Sequence, residues 1–312
     1  MQKFDGQLIT VIGGGGFLGR YVVQRLLARG ARVRVAQREP RAATFLKPLG
    51  GLGQTQFVAV DVRNAASVAR ALQGSDAVIN LAGAFDNMQA VQADGAGHVA
   101  AAAKAAGVAT LVHVSAIGAD SEGASAYARS KGDGEAAVRA AFDDAVILRP
   151  SILFGREDQF INRFAGLIRM APVVPVIAPN AKFQPAYVGD AADGVVAALD
   201  AAAKGKTFEI GGPQVLTMSE LLRWIADAIH RKPLFVDVPD IVASTLASGF
   251  GWAPGAPITK DQWLMLQHDN VVADGAAGLA QLGVTPTSLA SVADGWLVQY
   301  RRNGRFAELV SR

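Results

Sequence analysis

The chain of 312 residues contains no cysteine, which excludes disulfides, thiolate metal sites and a cysteine nucleophile. Only four histidines occur, and they show no metal-ligand spacing, so we interpret them as packed or surface residues and expect no metal site. An excess of one charge is also missing, because 30 basic and 27 acidic residues leave a net charge of +3. So slight a surplus does not favour a nucleic-acid partner.

Long hydrophobic runs are missing as well. A membrane-spanning helix needs ~20 apolar residues, and the best candidate, residues 165–179, is interrupted by Arg169 and three prolines. The first apolar run is too short for a secretion signal, so we expect a cytoplasmic protein without a transmembrane segment. The hydrophobic fraction of 51% supplies a large core, and the length allows about two domains.

A glycine-rich corner follows the first apolar stretch, which we predict as a strand over residues 8–12 before a helix over 17–28. The glycines fit both GxGxxG and GxxGxxG and are Gly13, Gly14, Gly15, Gly16 and Gly19. Glycine suits this corner because the chain turns with positive φ and lets a phosphate approach the backbone at a helix N-terminus. The pattern predicts a dinucleotide phosphate site; a glycine-rich loop without a ligand is the alternative.

The next strand, predicted over residues 31–36, completes a βαβ unit around the glycines. NAD-binding proteins commonly carry a carboxylate near its tip for the ribose 2′-OH, but this strand leads into Gln37 and Arg38. A guanidinium offers charge and paired donors to a 2′-phosphate, so we predict NADP(H) over NAD(H). Glu39 weakens this preference, and a solvated Arg38 without a ligand is the alternative.

The pattern then repeats, with predicted strands over residues 56–60, 77–81, 110–114 and 145–148 and helices between them. Near-continuous apolar strands are typical of parallel sheets buried on both faces, so we predict an α/β fold with a Rossmann-type doubly wound parallel sheet. Asp61 and Val62 would lie beside the adenine at the carboxyl edge of the sheet. A helix-capping role for Asp61 fits the sequence equally well.

Tyr127 and Lys131 lie one turn apart on a predicted helix. A phenol has a pKa of ~10, and proton transfer near pH 7 requires a shift of about three units. An exposed i,i+4 pair supplies only ~0.5 kcal/mol, so Lys131 needs a partly desolvated cleft to activate Tyr127. A tyrosine beside a surface lysine is the alternative.

The glycine corner and Tyr127-Ala128-Arg129-Ser130-Lys131 together resemble the extended or atypical short-chain dehydrogenase/reductases, in their epimerase/dehydratase-like branch. Residues 148–158, 183–190 and 259–272 resemble the Rossmann-fold accessory subunit of respiratory complex I and its bacterial relatives. The stretch from Phe154 to Asp158 is the sharper marker of this subfamily. The resemblance extends across nearly the whole chain.

One position departs from the active members of that superfamily. They hold the substrate carbonyl with a serine or threonine just beyond the fifth strand, where strand alignment places Ile117. Ser115 would have to turn into the site to replace it. Loss of one such donor costs about 10²–10³ in rate, so catalysis is expected to be impaired while cofactor binding remains.

The resemblance and the motifs give one set of predicted site residues. The catalytic candidates are Tyr127, Lys131 and Ser115. The cofactor-binding candidates are Gly13, Gly16, Phe17, Leu18, Gly19, Arg38, Asp61, Val62, Leu81, Ala82, Gly83, Ser115, Tyr127, Lys131, Pro150 and Ile152.

A smaller C-terminal α/β substrate-side domain is expected from residues about 159–183 and 213–312, beside a Rossmann domain of residues 1–158 and about 184–212. Asp190 is expected to cap a helix in residues 188–203, before a strand over 207–210. Capping boxes at Thr217 and Thr259 predict two further helices. The apolar segment 241–257 either lines the substrate-side cleft or docks on a membrane or partner.

The resemblance implies an NADP(H)-binding accessory protein that stabilises NADH:ubiquinone oxidoreductase, with weak or no catalysis. It implies complex I subunits as partners near the membrane surface, and peripheral attachment to the inner membrane through them. The intact tyrosine and lysine motif leaves an alternative, an active NAD(P)H-dependent reductase, epimerase or dehydratase. Its substrate would be a small carbonyl, quinone or nucleotide sugar.

Overall fold

The computed structural model describes residues 3–250, 258–302 and 304. The chain divides into two compact units. The first comprises residues 1–150, 188–210 and 273–285, and the second comprises 151–187, 211–272 and 286–312. These bounds differ from the domains expected from the sequence mainly at residues 273–285, which belong to the first unit.

The first unit is built on a seven-stranded sheet in which every neighbouring pair of strands is parallel. The strands are β1 (Leu8–Ile12), β2 (Arg32–Gln37), β3 (Thr55–Ala59), β4 (Ala77–Asn80), β5 (Thr110–Val114), β6 (Val146–Pro150) and, later in the chain, β11 (Thr207–Ile210). Their spatial order is β11-β6-β5-β4-β1-β2-β3. The order reverses beside β1, and ligands of such sheets bind at the carboxyl ends near this reversal.

Helices connect these strands, as parallel pairing requires. They are α1 (Phe17–Ala28), α2 (Ala65–Leu72), α3 (Gly95–Ala105), α4 (Ala126–Ala141) and α6 (Val188–Ala197). Helix α1 packs against α6, and α3 packs against both α2 and α4. The mostly apolar β1 and β5 are buried at every position. The predicted doubly wound α/β fold is thereby confirmed.

Several local predictions for this unit need correction. A 3₁₀ helix over Pro40–Leu49 and a π-helix over Gln89–Asp94 were not anticipated. Asp190 does not cap α6, because this helix already begins at Val188 and Asp190 lies inside its first turn. The helix ends at Ala197, and the remainder of the predicted stretch contains only a short 3₁₀ turn, Ala201–Ala203.

The described residues of the second unit form three two-stranded sheets. Its strands are β7 (Leu153–Phe154), β8 (Val173–Val176), β9 (Lys182–Phe183), β10 (Ala186–Tyr187), β12 (Leu216–Thr217) and β13 (Leu234–Asp237). Its helices are α5 (Ile161–Met170), α7 (Met218–Ala228), α8 (Asp240–Phe250), α9 (Lys260–Met265), α10 (Leu289–Val292) and α11 (Asp294–Leu297). A core that includes Phe154, Ile161 and Trp296 holds them together.

Both predicted capping boxes are confirmed. Thr217 accepts a hydrogen bond from the backbone of Glu220 at the start of α7, and Thr259 does the same for Gln262 in α9. The predicted apolar segment 241–257 begins in α8, where Ile241 is 81% exposed. Its residues 251–257 lie outside the described residues.

Candidate functional site

The glycine corner joins β1 to α1 at the carboxyl edge of the sheet. Gly13 has a φ of +77°, a left-handed conformation that favours glycine. Its N–H donates to Ala36 O at 2.8 Å, and its carbonyl accepts from Gly16 N at 3.0 Å. A Cβ on Gly19 would overlap the carbonyl oxygen of Gly13. The corner therefore requires glycine at both ends, and Phe17 and Leu18 open the helix directly behind it.

Gln37, at the end of β2, is tied to this corner. Its Oε1 accepts from Gly15 N at 2.9 Å, and its Nε2 donates to Glu39 O at 2.6 Å. The side chain at the strand tip is thus uncharged and already engaged with backbone. Arg38 follows it, is exposed, and makes no hydrogen bond or ion pair within the described part of the chain. Its guanidinium is free to meet an anion beside the glycine corner.

Asp61 follows β3, the neighbouring strand. Its carboxylate accepts a forked pair of bonds from Arg63, with Nη2 to Oδ2 at 2.6 Å and Nε to Oδ1 at 2.9 Å. Asn64 caps α2 instead, since its Oδ1 accepts from Ser67 N at 3.0 Å. The helix-capping alternative for Asp61 is therefore wrong. Val62 is buried, and its carbonyl lies 2.9 Å from Nδ1 of His98.

The small residues after β4 lie between the glycine corner and α4. Leu81 N donates to Ile12 O at 3.0 Å, and a Cβ on Gly13 would lie 3.2 Å from Leu81 O. Ala82 N donates to Asn80 Oδ1 at 3.1 Å. A Cβ on Gly83 would lie 3.9 Å from Lys131 Nζ. The predicted residues that follow β1 and β4 thus lie close to one another, and Gly83 lies close to Lys131 of α4.

Tyr127 and Lys131 lie in the first part of α4, which Ser125 caps by accepting from Ala128 N. Lys131 is 5% exposed, and its Nζ lies 5.9 Å from the centre of the Tyr127 ring and 3.5 Å from Val114 O. Burial lowers the pKa of Lys131 to about 8, and the negative charge of Glu135 opposes this shift. Burial also raises the pKa of Tyr127 to about 12, so its phenol is protonated at neutral pH.

Ser115 and Ile117 are the two positions considered for the hydroxyl that would hold a substrate carbonyl. Ser115 is buried at the end of β5, and its Oγ has no hydrogen-bond partner in the described residues. Ile117 is buried, and its backbone N–H donates to Pro150 O at 3.1 Å. The chain therefore has a hydroxyl at Ser115 and an apolar side chain where strand alignment places the missing donor.

Among the buried polar atoms that have no hydrogen-bond partner in the described residues, Nε2 of His113 and Oε1 of Gln92 also belong to this unit. Asn80 donates its amide to Nδ1 of His113 at 3.1 Å, because its Oδ1 is already taken by Ala82 N. Nε2 of His113 therefore carries the proton as an unused donor. Burial and the charge of Lys131 lower the pKa of His113 to about 3, so the ring is neutral.

An unsatisfied buried polar group costs about 1–3 kcal/mol, and three such atoms point to a region built for a polar ligand. The cradle of glycines and the buried ammonium of Lys131 have the chemistry that a dinucleotide phosphate and ribose need. These residues fit a nicotinamide dinucleotide. Sequence reasoning missed Gln92 and His113. His113 is a polar residue between two valines of an apolar strand, which was a usable signal, whereas Gln92 has Gln89 and Asp94 nearby and gave none.

Pro150 ends β6 in the first unit, whereas Ile152 belongs to the second unit and donates its N–H to Asn270 Oδ1 at 3.1 Å. Residues 154–158, the stretch that most sharply resembles the complex I accessory subunit, also lie in the second unit. The carboxylate of Asp158 accepts from Gly155 N at 3.1 Å and from Ile161 N at 2.7 Å. Asp158 therefore stabilises the turn that leads into α5.

Neither a metal centre nor a membrane span is found in the described residues. They contain no group of three or more histidine, cysteine, aspartate or glutamate side chains with metal-binding geometry. None of their helices is both long enough and apolar enough to cross a bilayer.

Comparison with known proteins agrees with the geometry of the first unit. The model of the NAD dependent epimerase/dehydratase family matches residues 9–211. The chain is 38% identical over 299 residues to a Mus musculus protein named NADH dehydrogenase [ubiquinone] 1 alpha subcomplex subunit 9, mitochondrial, covering 92% of this chain and 79% of that protein.

A second relative carries a different name. The chain is 31% identical over 240 residues to a ceramide reductase of Caulobacter vibrioides, covering 75% of this chain and 74% of the relative. Among solved structures, the Escherichia coli NADPH-dependent quinone oxidoreductase QOR2 in complex with NADPH superimposes with a TM-score of 0.75 and 20% identity. That match covers 91% of this chain and 97% of the other, and it shows a shared fold.

Proposed function

Because the chain belongs to the NAD dependent epimerase/dehydratase family, we propose that it is an NADP(H)-binding accessory protein that stabilises NADH:ubiquinone oxidoreductase. The observation that carries this proposal is the 38% identity, over 92% of the chain, to a protein named as a subunit of that enzyme. The shared segment includes both units. The proposed partners are therefore other subunits of respiratory complex I, near the membrane surface.

In this proposal the cofactor lies along the carboxyl edge of the sheet. Gly13, Gly16 and Gly19, with the N–H groups of Phe17 and Leu18, hold its diphosphate. The adenine lies beside Asp61 and Val62, and Leu81, Ala82 and Gly83 leave room for the dinucleotide to cross. Ser115, Tyr127, Lys131 and Pro150, all in the first unit, lie at the ribose and nicotinamide end. These assignments rest on the geometry above and on the family's fold.

The preference for NADP(H) rests on Arg38. The uncharged Gln37 occupies the strand tip, where a carboxylate would repel a 2′-phosphate, and Arg38 has no competing partner within the described residues. Arg38→Gln should weaken NADPH binding about tenfold and leave NADH binding unchanged, as measured by titrating the fluorescence of each nucleotide. Equal loss for both nucleotides, or no loss for NADPH, would remove the role of Arg38.

Weak or absent catalysis follows from two features of the site. A bound nicotinamide supplies hydride chemistry, but the substrate carbonyl also needs a donor where Ile117 stands. Burial raises the pKa of Tyr127 to about 12 in the protein without cofactor, so its phenol is available as a proton donor and proton abstraction by its phenolate near pH 7 is disfavoured. Lys131 at 5.9 Å from the ring centre does not offset the burial. The site is thus better suited to holding a cofactor than to turning it over.

The accessory role is tested in the native host. A tagged chain should co-purify with complex I subunits, and deletion of its gene should reduce the amount of assembled complex I. The Gly19→Ala variant should fail to restore the complex if cofactor binding supports assembly. Co-purification of none of these subunits, together with unchanged complex I in the deletion strain, would overturn the proposal.

An active reductase, epimerase or dehydratase is the second candidate, and the unpartnered hydroxyl of Ser115 favours it. This hydroxyl is buried on the strand next to α4, which carries Tyr127, and a ceramide reductase is among the relatives. Turnover of NADPH with carbonyl, quinone or nucleotide-sugar substrates should then fall at least 10²-fold in Tyr127→Phe and in Ser115→Ala. Equal turnover in the wild type and both variants would exclude this candidate.

A further inference from the structure

The ion pair between Asp61 and Arg63 lies at the exit of β3, and Arg38 follows the neighbouring strand β2. Val60 N donates to Gln37 O at 3.0 Å, so the exits of β2 and β3 run side by side. The positive charge of Arg38 makes the smallest of the contributions that lower the pKa of Asp61. An anion that meets Arg38 is therefore also exposed to the field of Asp61.

Asp61 keeps its negative charge at every working pH. Its hydrogen bonds with Arg63, followed by the charges of Arg63 and Arg38, lower the pKa of the carboxyl group to about 2. A carboxylate in this place repels a phosphate, and only a neighbouring cation cancels that repulsion. Arg63 supplies the cancelling charge through a fork of two hydrogen bonds, the geometry in which guanidinium and carboxylate bind most strongly.

We propose that Arg63 is a positioning residue for NADP(H) selectivity: by neutralising Asp61, it leaves the charge of Arg38 available to a 2′-phosphate. This inference rests on the proposed NADP(H) binding. Asp61 and Arg63 are 33% and 44% exposed as side chains, so their pairing adds little to stability. We expect the pair to affect the ratio of NADPH affinity to NADH affinity instead.

The inference predicts a specific pattern in a double-mutant cycle. Arg63→Gln should weaken NADPH binding about fivefold, because a dianionic phosphate then faces an uncompensated carboxylate in a largely solvated setting. NADH binding should change less than twofold, since NADH lacks that phosphate. Asp61→Asn/Arg63→Gln should restore the NADPH-to-NADH affinity ratio of the wild type, because the repelling charge is gone.

The experiment measures dissociation constants of NADPH and NADH by fluorescence titration of the full chain at one ionic strength. Arg70→Gln is the matched control, because it removes an exposed arginine from α2 that forms no ion pair within the described residues. A fivefold loss in Arg63→Gln that the double variant reverses supports the inference. An equal loss in Arg70→Gln, or a double variant as weak as Arg63→Gln, overturns it.

The same titrations separate this inference from the proposed function. If Arg38→Gln leaves the NADPH-to-NADH ratio unchanged, the NADP(H) preference itself fails. If Arg38→Gln lowers the ratio while Arg63→Gln does not, the preference stands and the role of Arg63 alone is refuted. Circular dichroism of each variant confirms that these exposed substitutions leave the fold intact.

Discussion

Binding of NADPH should weaken as the pH rises from 7 to 9, because the buried Lys131 loses its proton in this range. Burial places its pKa at about 8, compared with 10.5 for an exposed lysine. We expect the protonated ammonium to bind the cofactor and the neutral amine to bind it poorly. The affinity should therefore follow the protonated fraction of Lys131 in the free protein.

The size of the effect comes from this pKa. A group with a pKa of about 8 is roughly nine-tenths protonated at pH 7 and roughly one-tenth protonated at pH 9. The dissociation constant should therefore rise about tenfold over two pH units, equivalent to ~1.4 kcal/mol of binding free energy. The rise stops where the pKa of Lys131 in the complex is reached, since the bound anion raises that pKa.

The assay is a fluorescence titration of NADPH between pH 7 and pH 9.5 at constant ionic strength. This range avoids the 2′-phosphate, whose second pKa is ~6. Lys131→Met should bind weakly and with no pH dependence over the same range. A flat profile in the wild type, or the same slope in Lys131→Met, would refute the assignment of the titrating group to Lys131.

The same ammonium should make the protein less stable without its cofactor. The pKa of Lys131 is lower in the folded protein than in the unfolded chain, so the unfolded chain binds more protons between pH 8 and pH 10.5. The free energy of unfolding therefore rises with pH across this window. Lys131→Met should raise the free energy of unfolding at pH 7 by up to ~3 kcal/mol in denaturant titrations, and NADPH should stabilise this variant less than the wild type.

Three further predictions concern single residues. Gly19→Ala should lower NADPH affinity more than tenfold, because its Cβ overlaps the preceding turn, whereas Gly166→Ala, with open space around it, should not change binding. Asp158→Ala should lower the free energy of unfolding by ~2 kcal/mol in chemical denaturation, since buried backbone donors lose their acceptor, and Asp158→Asn should lose less. Glu135→Gln should shift the pH midpoint of NADPH binding downward in the same fluorescence assay, because the charge of Glu135 raises the pKa of Lys131.

Helix caps were predicted correctly from the sequence where no other residue nearby could cap the same helix. The capping boxes at Thr217 and Thr259 were predicted correctly because both partners lie within four residues. The capping alternative for Asp61 and the capping prediction for Asp190 were both wrong. Asn64 is closer to the start of α2 than Asp61 and caps it instead, whereas α6 begins two residues before Asp190, so that Asp190 lies inside the helix.

Features that depend on contacts between separate parts of the chain could not be predicted from the sequence. The π-helix at Gln89–Asp94 places Gln92 so that its amide donates to Ala84 O at 2.9 Å. The segment 273–285 joins the first unit, where Ala273 N donates to Glu209 Oε2 at 2.8 Å. Such pairings join parts of the chain that no local periodicity connects.

The sequence alone determined the alternation of strands and helices, the glycine corner and the helical pairing of Tyr127 with Lys131, because each depends on residues close together in the chain. The tertiary structure alone decided the chemical state of those groups. Burial lowers the pKa of Lys131, raises that of Tyr127 and leaves the Ser115 hydroxyl without a partner in the described residues. Desolvation depends on what packs around a side chain, and only the folded chain defines that.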